Sequence, residues 1–325
     1  MSSPGSVFVE APARLHFGVL DLRGKLGRCF GGLGAAIPSP SLLLEATRSN
    51  RTTSEGPDAE RAADFAHRWF SYQAVSGGVH IKIHRAIPSH SGLGSGTQLG
   101  LAVARALSEL YRVSADPVEL ARSTGRGLRS AIGTWTFAHG GFIVEGGRRP
   151  GSEAIAPLLA RFAIPETWYC VVAVPAGGRG LSGEAEARAF EQLPLPPDQE
   201  VERVAHLVLM QLLPALVEDD LPSFGTALSA IQRITGSWFA AEQGGVFAPG
   251  RTEQLVAEMS ALGAVGVGQS SWGPAAYGLV ASAEAAALLA ERVQNLLGGS
   301  GQVFQGGFAG RGARSWNGPG PLDSD

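Results

Sequence analysis

A glycine-rich segment between a predicted strand and a predicted helix constrains the fold of this 325-residue chain most strongly. Residues 88–98 read PSHSGLGSGTQ. Before them, 79–85 (VHIKIHR) alternates like a half-buried strand, and after them apolar residues recur at helical spacing over 95–111. Glycines let the backbone approach an anion closely, and the free N–H groups of the next helical turn carry positive partial charge. The segment therefore predicts a phosphate-binding loop.

This loop follows neither of the two common nucleotide-binding patterns, because it has no Gly-Lys-Ser/Thr and no G-x-G-x-x-G. An ordinary strand-to-helix turn is the alternative interpretation. If the loop binds phosphate or pyrophosphate, its expected ligands are Ser91, Gly92, Leu93, Gly94, Ser95, Gly96, Thr97 and Gln98.

Charge and composition exclude several classes of protein. A net charge of −3 does not suit a general nucleic-acid binder. Residues 1–149 carry 17 basic and 11 acidic residues, whereas 150–325 carry nine and 18. A basic first half suits a phosphate-rich substrate, although an uneven solvated surface would look the same. Two cysteines, no signal-peptide pattern and no convincing membrane helix predict a soluble cytoplasmic protein.

Hydrophobic periodicity predicts helices packed on one side of a mainly antiparallel sheet, an α+β class. Strands are expected at 6–20, 40–47, 139–146, 168–175, 264–268, 275–281 and 301–306, with a glycine-rich loop over 26–41. Further helices are expected at 58–74, 116–134, 251–262, 283–297 and, in two segments, over 199–241. The proline-flanked segment 150–166 suggests a boundary between domains 1–160 and 161–310, followed by a disordered tail at 311–325.

The glycine-rich loop resembles that of a known superfamily. Five of its residues match P-x-x-x-G-L-G-S-S, the phosphate loop of the GHMP superfamily of galactokinase, homoserine kinase, mevalonate kinase and phosphomevalonate kinase. They are Pro88, Gly92, Leu93, Gly94 and Ser95. The segments 13–37, 92–107, 128–147 and 266–280 resemble one branch, the beta-ribofuranosylaminobenzene 5′-phosphate synthases of methanopterin biosynthesis. The elements RLHFG, GSGTQ and GQSSWGP distinguish that branch from the kinases.

The resemblance implies a fold and an activity. The fold would be a two-domain GHMP-kinase-like fold, with an N-terminal α/β domain that carries the phosphate loop and a left-handed β-α-β crossover, and a C-terminal ferredoxin-like α+β domain. The activity would join phosphoribosyl pyrophosphate to 4-hydroxybenzoate or 4-aminobenzoate, with release of pyrophosphate and carbon dioxide. The sequence does not choose between the two benzoates. Mg²⁺ is expected through pyrophosphate oxygens. A homodimer is possible, and neither nucleic acid nor a membrane is an expected partner.

Arg14 and His16 are the candidate catalytic residues. They alternate with Leu15 and Phe17, so they share one face if this segment is a strand. A fork-shaped phosphate donor and a group that titrates near neutral pH would then stand together. The alternative is a surface arginine beside a structural histidine.

Substrate-binding residues are expected in three further segments. Arg126 and Arg129 could bind carboxylate or phosphate, or could lie at a solvated helix start. A glycine-flanked loop could seat a benzoate ring, although its tryptophan could instead fill a domain seam. The residues of that loop are Gln269, Ser270, Ser271 and Trp272. Arg179 is assigned to closure over substrate by resemblance, and Glu184 and Gln243 receive no role.

A departure from the kinase pattern separates the mechanisms. Superfamily kinases commonly carry Ser-Gly-x-Asp, whose aspartate orients or deprotonates the acceptor hydroxyl, whereas this chain reads Ser130-Ala131-Ile132-Gly133. Gly133 has no side chain to act as that base, so the synthase is favoured over an ATP-dependent kinase. A non-catalytic sensor of phosphorylated metabolites is a third possibility, because it would need only the loop.

The missing aspartate gives the first prediction. Purified protein supplied with ATP and Mg²⁺ should phosphorylate neither sugars, homoserine nor mevalonate, because no group at position 133 can accept the hydroxyl proton. Coupled measurement of ADP release checks this. Robust turnover of any of these acceptors would contradict the synthase interpretation.

Overall fold

The computed structural model describes residues 5–178, 180 and 183–318. The strands are β1 (Val7–Asp21), β2 (Phe30–Ser49), β3 (Thr53–Glu55), β4 (Gly78–Arg85), β5 (Phe142–Glu145), β6 (Leu158–Phe162), β7 (Tyr169–Pro175), β8 (Val265–Gln269), β9 (Ala276–Val280), β10 (Gly301–Gly306) and β11 (Arg314–Asn317). The helices are α1 (Ala59–Gln73), α2 (Ser95–Tyr111), α3 (Pro117–Ser123), α4 (Ile132–His139), α5 (Gly183–Gln192), α6 (Asp198–Leu207), α7 (Leu213–Val217), α8 (Leu221–Gln243), α9 (Arg251–Ala261) and α10 (Ala283–Leu297). A π-helical segment, Val208–Leu212, joins α6 to α7.

The strands form two sheets. The first has the order β11-β1-β2-β4-β3, with β5 paired to β2 and β6 to β5, and it is antiparallel except between β3 and β4. The second sheet is antiparallel with the order β10-β7-β9-β8. Numbered along the chain, this is the 4-1-3-2 order of a ferredoxin-like β-α-β-β-α-β unit. The α+β class is therefore confirmed.

Helix α2 carries the glycine-rich loop into the core of the first sheet. It begins after Gly94, whose φ of 80° is left-handed and therefore suits glycine. The apolar face predicted from the sequence is buried, and α2 packs on β1 and β2. The strand, loop and helix predicted around residues 79–111 are thus confirmed.

Three local predictions are wrong. Most of the loop expected at 26–41 belongs to β2. Glycine occurs in this strand because the neighbouring strand leaves no room for a side chain: a Cβ on Gly34 would lie 2.4 Å from the Leu15 carbonyl oxygen. The single helix expected at 116–134 is α3 and α4 with a loop between them, where Gly125 and Gly127 have positive φ. The boundary at 160/161 falls inside β6, which pairs with β5 in the first sheet.

The expected disordered tail is also corrected. Within 311–325, residues Arg314–Asn317 form β11, which pairs antiparallel with β1. Trp316 stacks on Phe8 with ring centroids 5.6 Å apart, so apolar burial holds this strand in place. Residues 319–325 lie outside the described residues.

Every helix among the described residues falls short of the length and apolar character needed to span a bilayer.

The packing of α8 on β8 gives a stability prediction. A Cβ on Gly225 would lie 2.5 Å from Val265 Cβ and 2.7 Å from the backbone nitrogen of Gly266. Gly225→Ala should therefore destabilise the fold by about 1–3 kcal/mol, although alanine in a helix interior normally gains about 1 kcal/mol over glycine. Urea unfolding measures the change. Thr226→Ala, at the exposed neighbouring position, is the control, and a Gly225→Ala variant as stable as wild type would contradict the close packing.

Candidate active site

A cavity of about 480 Å³ lies where the two sheets meet. Its walls come from β1, the phosphate loop, the loop before α4, and one face of α8. The α8 face repeats at helical spacing through Gln232, Thr235, Phe239 and Gln243. Residues from both predicted domains therefore build one site.

Part of the glycine-rich loop faces this cavity and part supports it. Five predicted ligands line the wall, namely Gly92, Gly94, Ser95, Gly96 and Thr97. The other three do not. Ser91 is 2% exposed and donates to the Pro88 carbonyl oxygen, Leu93 is fully buried in the core, and the Gln98 amide donates to the Gly133 carbonyl oxygen at 3.0 Å. The strand-to-helix turn directs these three side chains inward, so they hold the loop.

Ser270 joins the phosphate loop to β1. Its hydroxyl donates to the Gly92 carbonyl oxygen at 2.7 Å and accepts from the His16 backbone N–H at 3.0 Å. It is fully buried and absent from the cavity wall, so in this structure its hydroxyl holds the junction, and its contact with substrate stays a prediction. A Cβ on Gly92 would lie 2.2 Å from the Ser270 carbonyl oxygen, which explains why glycine occupies that position.

Arg14 and His16 both line the cavity, on the shared face predicted for them. Arg14 donates to the Gly92 carbonyl oxygen and lies 3.5 Å from Ser270 Oγ. Burial lowers the pKa of Arg14 to about 10, with Glu186 opposing the shift, so the guanidinium stays charged at neutral pH. Burial, and then the charge of Arg14, lowers the pKa of His16 to about 3. His16 is therefore neutral at neutral pH.

Two guanidinium groups lie over the start of α2. A Cβ on Gly96 would fall 2.3 Å from Nη2 of Arg126 and 2.5 Å from Nη2 of Arg61. Burial and the charge of Arg61 lower the pKa of Arg126 to about 10. Within the described ranges Arg126 has no hydrogen-bond acceptor; its guanidinium lies 5.6 Å from the centre of the Phe65 ring. Like charges brought together at a helix N-terminus create a site for an anion.

Arg61 was not predicted, because it lies on α1, 27 or more residues before the loop, and sequence proximity gives no signal for it.

Arg129 also lines the cavity, but it is already paired. Its guanidinium forms an ion pair with Glu186 and donates to the Gly183 carbonyl oxygen at 3.1 Å. Arg179, predicted to close over substrate, lies outside the described residues, and the side chain of Glu184 is likewise not described.

An aromatic box stands at another part of the cavity, formed by Phe30, Phe190, Phe239 and Trp272. Phe239 and Trp272 meet edge to face with centroids 4.9 Å apart, and Phe190 contacts Phe30, Phe239 and Trp272 at 5.6–5.7 Å. Trp272 was predicted near the substrate ring, whereas the three phenylalanines were not. They belong to three separate elements, so only the tertiary fold brings them together.

Gln269 and Ser271 complete the predicted GQSSWG element on the cavity wall. The Gln269 side-chain oxygen accepts from the Ala248 N–H at 2.7 Å, and its amide donates to Gln243 Oε1 at 3.2 Å. Gln243, left without a role above, thus helps to fix Gln269 beside the aromatic box.

Gly133, which replaces the kinase aspartate, packs directly against the phosphate loop. A Cβ on Gly133 would lie 2.9 Å from Thr97 Cγ2. The Thr97 side chain thus fills the space that a longer side chain at position 133 would need.

A protein-held metal does not fit this site. Among the described residues no group of three or more His, Cys, Asp and Glu side chains could hold an ion. The acidic residue described on the cavity wall, Glu186, is occupied by Arg129.

Comparison with known proteins defines the class. Two family models match the chain, GHMP kinases N terminal domain over residues 59–141 and GHMP kinases C terminal over 212–298. The fold is similar to that of homoserine kinase from Cytophaga hutchinsonii, with a TM-score of 0.72 and 17% identity over 97% of this chain and 99% of that one. It is also similar to that of L. major mevalonate kinase, with a TM-score of 0.70 and 19% identity; the match covers 94% of this chain and 98% of that one. The chain is thus a member of the GHMP superfamily.

Curated relatives narrow the class to one family. The chain is 33% identical to beta-ribofuranosylphenol 5′-phosphate synthase of Methanothermobacter thermautotrophicus, over 94% of this chain and 98% of that one. It is 35% identical to the Archaeoglobus fulgidus protein of the same name, over 84% of this chain and 88% of that one. At this identity and coverage the chain belongs to the beta-ribofuranosylphenol 5′-phosphate synthase family, and the branch indicated by its sequence motifs is confirmed.

The arginine pair above Gly96 gives the third prediction. Arg126→Ala should weaken binding of inorganic pyrophosphate by about tenfold or more, because charge-assisted hydrogen bonds contribute roughly 1.5–3 kcal/mol. Isothermal titration calorimetry measures the Kd. Arg122→Ala, which removes an exposed arginine from α3, is the matched control. An unchanged Kd in a folded Arg126→Ala protein would mean that the anion binds elsewhere.

Proposed function

We propose that this chain transfers the phosphoribosyl group of phosphoribosyl pyrophosphate to a para-substituted benzoate, with release of pyrophosphate and carbon dioxide. The product is a C-riboside 5′-phosphate of tetrahydromethanopterin biosynthesis. One observation carries the proposal: a single cavity holds a basic anion site at the start of α2 and an aromatic box. An anionic sugar donor and an aromatic acceptor need that combination.

The donor subsite is the basic end. The first two residues of α2, Ser95 and Gly96, line the cavity, and the N–H groups at this position in a helix have no acceptor within it. Arg61 and Arg126 stand above them, and Arg14 lies beneath the loop, where a Cβ on Gly94 would be 2.8 Å from Arg14 Cγ. Arg14, Arg126 and the helix N-terminus would stabilise a pyrophosphate as its charge develops, and Arg61, which also pairs with Asp58 at 3.1 Å, adds a third guanidinium.

The acceptor subsite is the aromatic box. Edge-to-face contacts among Phe190, Phe239 and Trp272 form a rigid apolar wall against which a benzoate ring can pack. Arg129 lies in the same region, with its guanidinium 5.8 Å from the centre of the Phe190 ring, and a substrate carboxylate would have to compete with Glu186 for it.

The chemistry requires positioning and charge more than a strong base. The ring carbon that bears the carboxylate attacks the anomeric carbon as pyrophosphate leaves, and the para group donates electrons into the ring. Loss of carbon dioxide then restores aromaticity. The protein must hold the two reactants in line and stabilise the leaving group.

A kinase activity is the alternative suggested by the superfamily. Gly133 argues against it, because it supplies no carboxylate and because any side chain at that position would press on the Thr97 side chain. Mg²⁺ belongs to the proposal as an ion carried by pyrophosphate oxygens, consistent with the chemistry of that ligand. A cytoplasmic location and a homodimer also belong to the proposal.

Incubation with phosphoribosyl pyrophosphate and each benzoate tests the function. The carboxylate carbon is labelled, and release of labelled carbon dioxide is measured, with ATP and a sugar panel supplied in parallel. We expect label release only with phosphoribosyl pyrophosphate. No release with either benzoate would overturn the proposal.

The fourth prediction concerns Arg14 and His16. His16→Ala should slow the reaction of 4-hydroxybenzoate by about a hundredfold or more and that of 4-aminobenzoate less, because a phenol becomes a strong electron donor only after it loses its proton. Arg14→Ala should weaken both reactions alike, because an anion contact does not depend on the para group. Steady-state kinetics of both variants with both benzoates measures this. His67→Ala, an exposed histidine of α1, is the control, and equal losses with both benzoates in His16→Ala would remove any role in proton transfer.

A further inference from the structure

Glu145 is a buried carboxylate behind the cavity. It ends β5, in the apolar sequence Phe-Ile-Val-Glu, and its exposed fraction is 0%. Its two oxygens accept hydrogen bonds from backbone N–H groups, Oε1 from Ala131 at 3.4 Å and Oε2 from Gly147 at 2.8 Å. Moving a carboxylate out of water costs free energy, and Glu145 forms no direct ion pair among the described residues, so its burial calls for a functional reason.

A chain of side chains connects Glu145 to the cavity. The Ser130 hydroxyl lies 3.2 Å from His16 Nε2, and Glu145 Oε1 accepts from the N–H of the next residue, Ala131. The Ser130 side chain lowers the pKa of Glu145, against the effect of burial. His16 and Ser130 both line the cavity, whereas Glu145 does not. Gly32 leaves room for this arrangement, since a Cβ there would lie 3.3 Å from Glu145 Oε1 and 3.4 Å from His16 Nε2.

His16 alone is a poor acceptor for a proton. A protonated imidazole would be a second buried cation beside Arg14, and burial together with that charge already lowers the pKa of His16 to about 3. A proton passed onward to a carboxylate creates no such cation. It leaves a neutral imidazole and a neutral carboxylic acid, the forms that burial favours. Burial accordingly raises the pKa of Glu145.

We propose that Glu145 is a positioning residue that acts through Ser130 and His16, taking up the para-hydroxyl proton of the acceptor and returning it within one turnover. This inference rests on the proposed function and adds to it the route of the proton.

The steps balance. As the ring carbon forms its bond to the anomeric carbon, the anomeric C–O bond breaks and its electron pair leaves on pyrophosphate. The para-hydroxyl proton passes to His16, a proton passes from His16 to Ser130, and the Ser130 proton passes to Glu145. The bond to the carboxylate then breaks, its pair returns to the ring, and carbon dioxide leaves. The phenolate oxygen so formed recovers the proton by the reverse route, and no other reactant is needed.

The experiment compares the two benzoates in Glu145→Gln and Ser130→Ala. With 4-hydroxybenzoate, we expect kcat to fall by about a hundredfold or more while KM changes little, because the acceptor site is untouched. With 4-aminobenzoate, whose nitrogen lone pair donates without prior loss of a proton, both variants should stay within a few fold of wild type. Ser123→Ala, a fully enclosed serine on α3 away from the cavity, is the matched control.

A pH profile provides a readout that a structural role would not change. Glu145 must be ionised to accept a proton, so kcat for 4-hydroxybenzoate should fall as the pH drops through its raised pKa. The titratable and charged groups around the path from the cavity to Glu145 are His16 and Arg14 from β1 and Arg28 from the segment before β2, and the Ser130 hydroxyl lies between. Titration of the donor's phosphates changes kcat with both benzoates alike. The ratio of kcat for 4-hydroxybenzoate to kcat for 4-aminobenzoate therefore reports the titration of Glu145. Both variants should lose this acid limb.

The outcomes separate the two proposals. If wild type releases carbon dioxide from neither benzoate, the proposed function is wrong. If wild type is active but both benzoates slow equally in Ser130→Ala, or the acid limb persists there, Glu145 only supports the fold. If Glu145→Gln does not fold, Ser130→Ala decides. If wild type turns over only 4-aminobenzoate, no hydroxyl proton has to be carried and the relay is overturned. If it turns over only 4-hydroxybenzoate, the relay is judged by whether the fall of kcat at low pH disappears in the variants.

Discussion

The site depends on the buried hydroxyl of Ser270. That one group accepts from the backbone of β1 at His16 and donates to the phosphate loop at Gly92. It belongs to the ferredoxin-like part of the chain, so it fixes three segments from distant sequence positions at one point. A second bond, from the Ala275 N–H to the Ser91 carbonyl oxygen at 3.0 Å, reinforces the same junction. Both are enclosed and away from water, where a hydrogen bond left unmade is most costly.

Local patterns made part of this arrangement predictable. The phosphate loop, the shared face of Arg14 and His16, and the position of Trp272 all follow from short-range periodicity or from a motif. Short-range patterns could not show which loop side chains turn inward: Gln98, expected to bind pyrophosphate, and Ser270, expected to bind substrate, both hydrogen-bond backbone carbonyl oxygens. Arg61 could not be predicted either, because its distance from Gly96 is set by the docking of α1 on α2.

The cavity separates charge from apolar surface. Cations gather at the start of α2, and aromatic rings gather where α5 and α8 approach Trp272. Its buried groups each have one stable charge state: burial leaves Arg14 charged and His16 neutral at neutral pH. In an enclosed region fixed charges act strongly on one another, so an anionic donor is oriented before any bond changes. The superfamily fold thus serves a different chemistry through changes at a few positions, of which Gly133 is one.

The pairing of β11 with β1 has a consequence for biosynthesis. β1 carries Arg14 and His16, and one of its edges stays open until residues 314–317 leave the ribosome. Until then the edge exposes unpaired N–H and C=O groups that can pair with another chain. A transcript that ends before codon 314 would therefore yield a polypeptide with all of the cavity residues described above and an unprotected sheet edge, which makes codons 314–317 a determinant of aggregation in the cell.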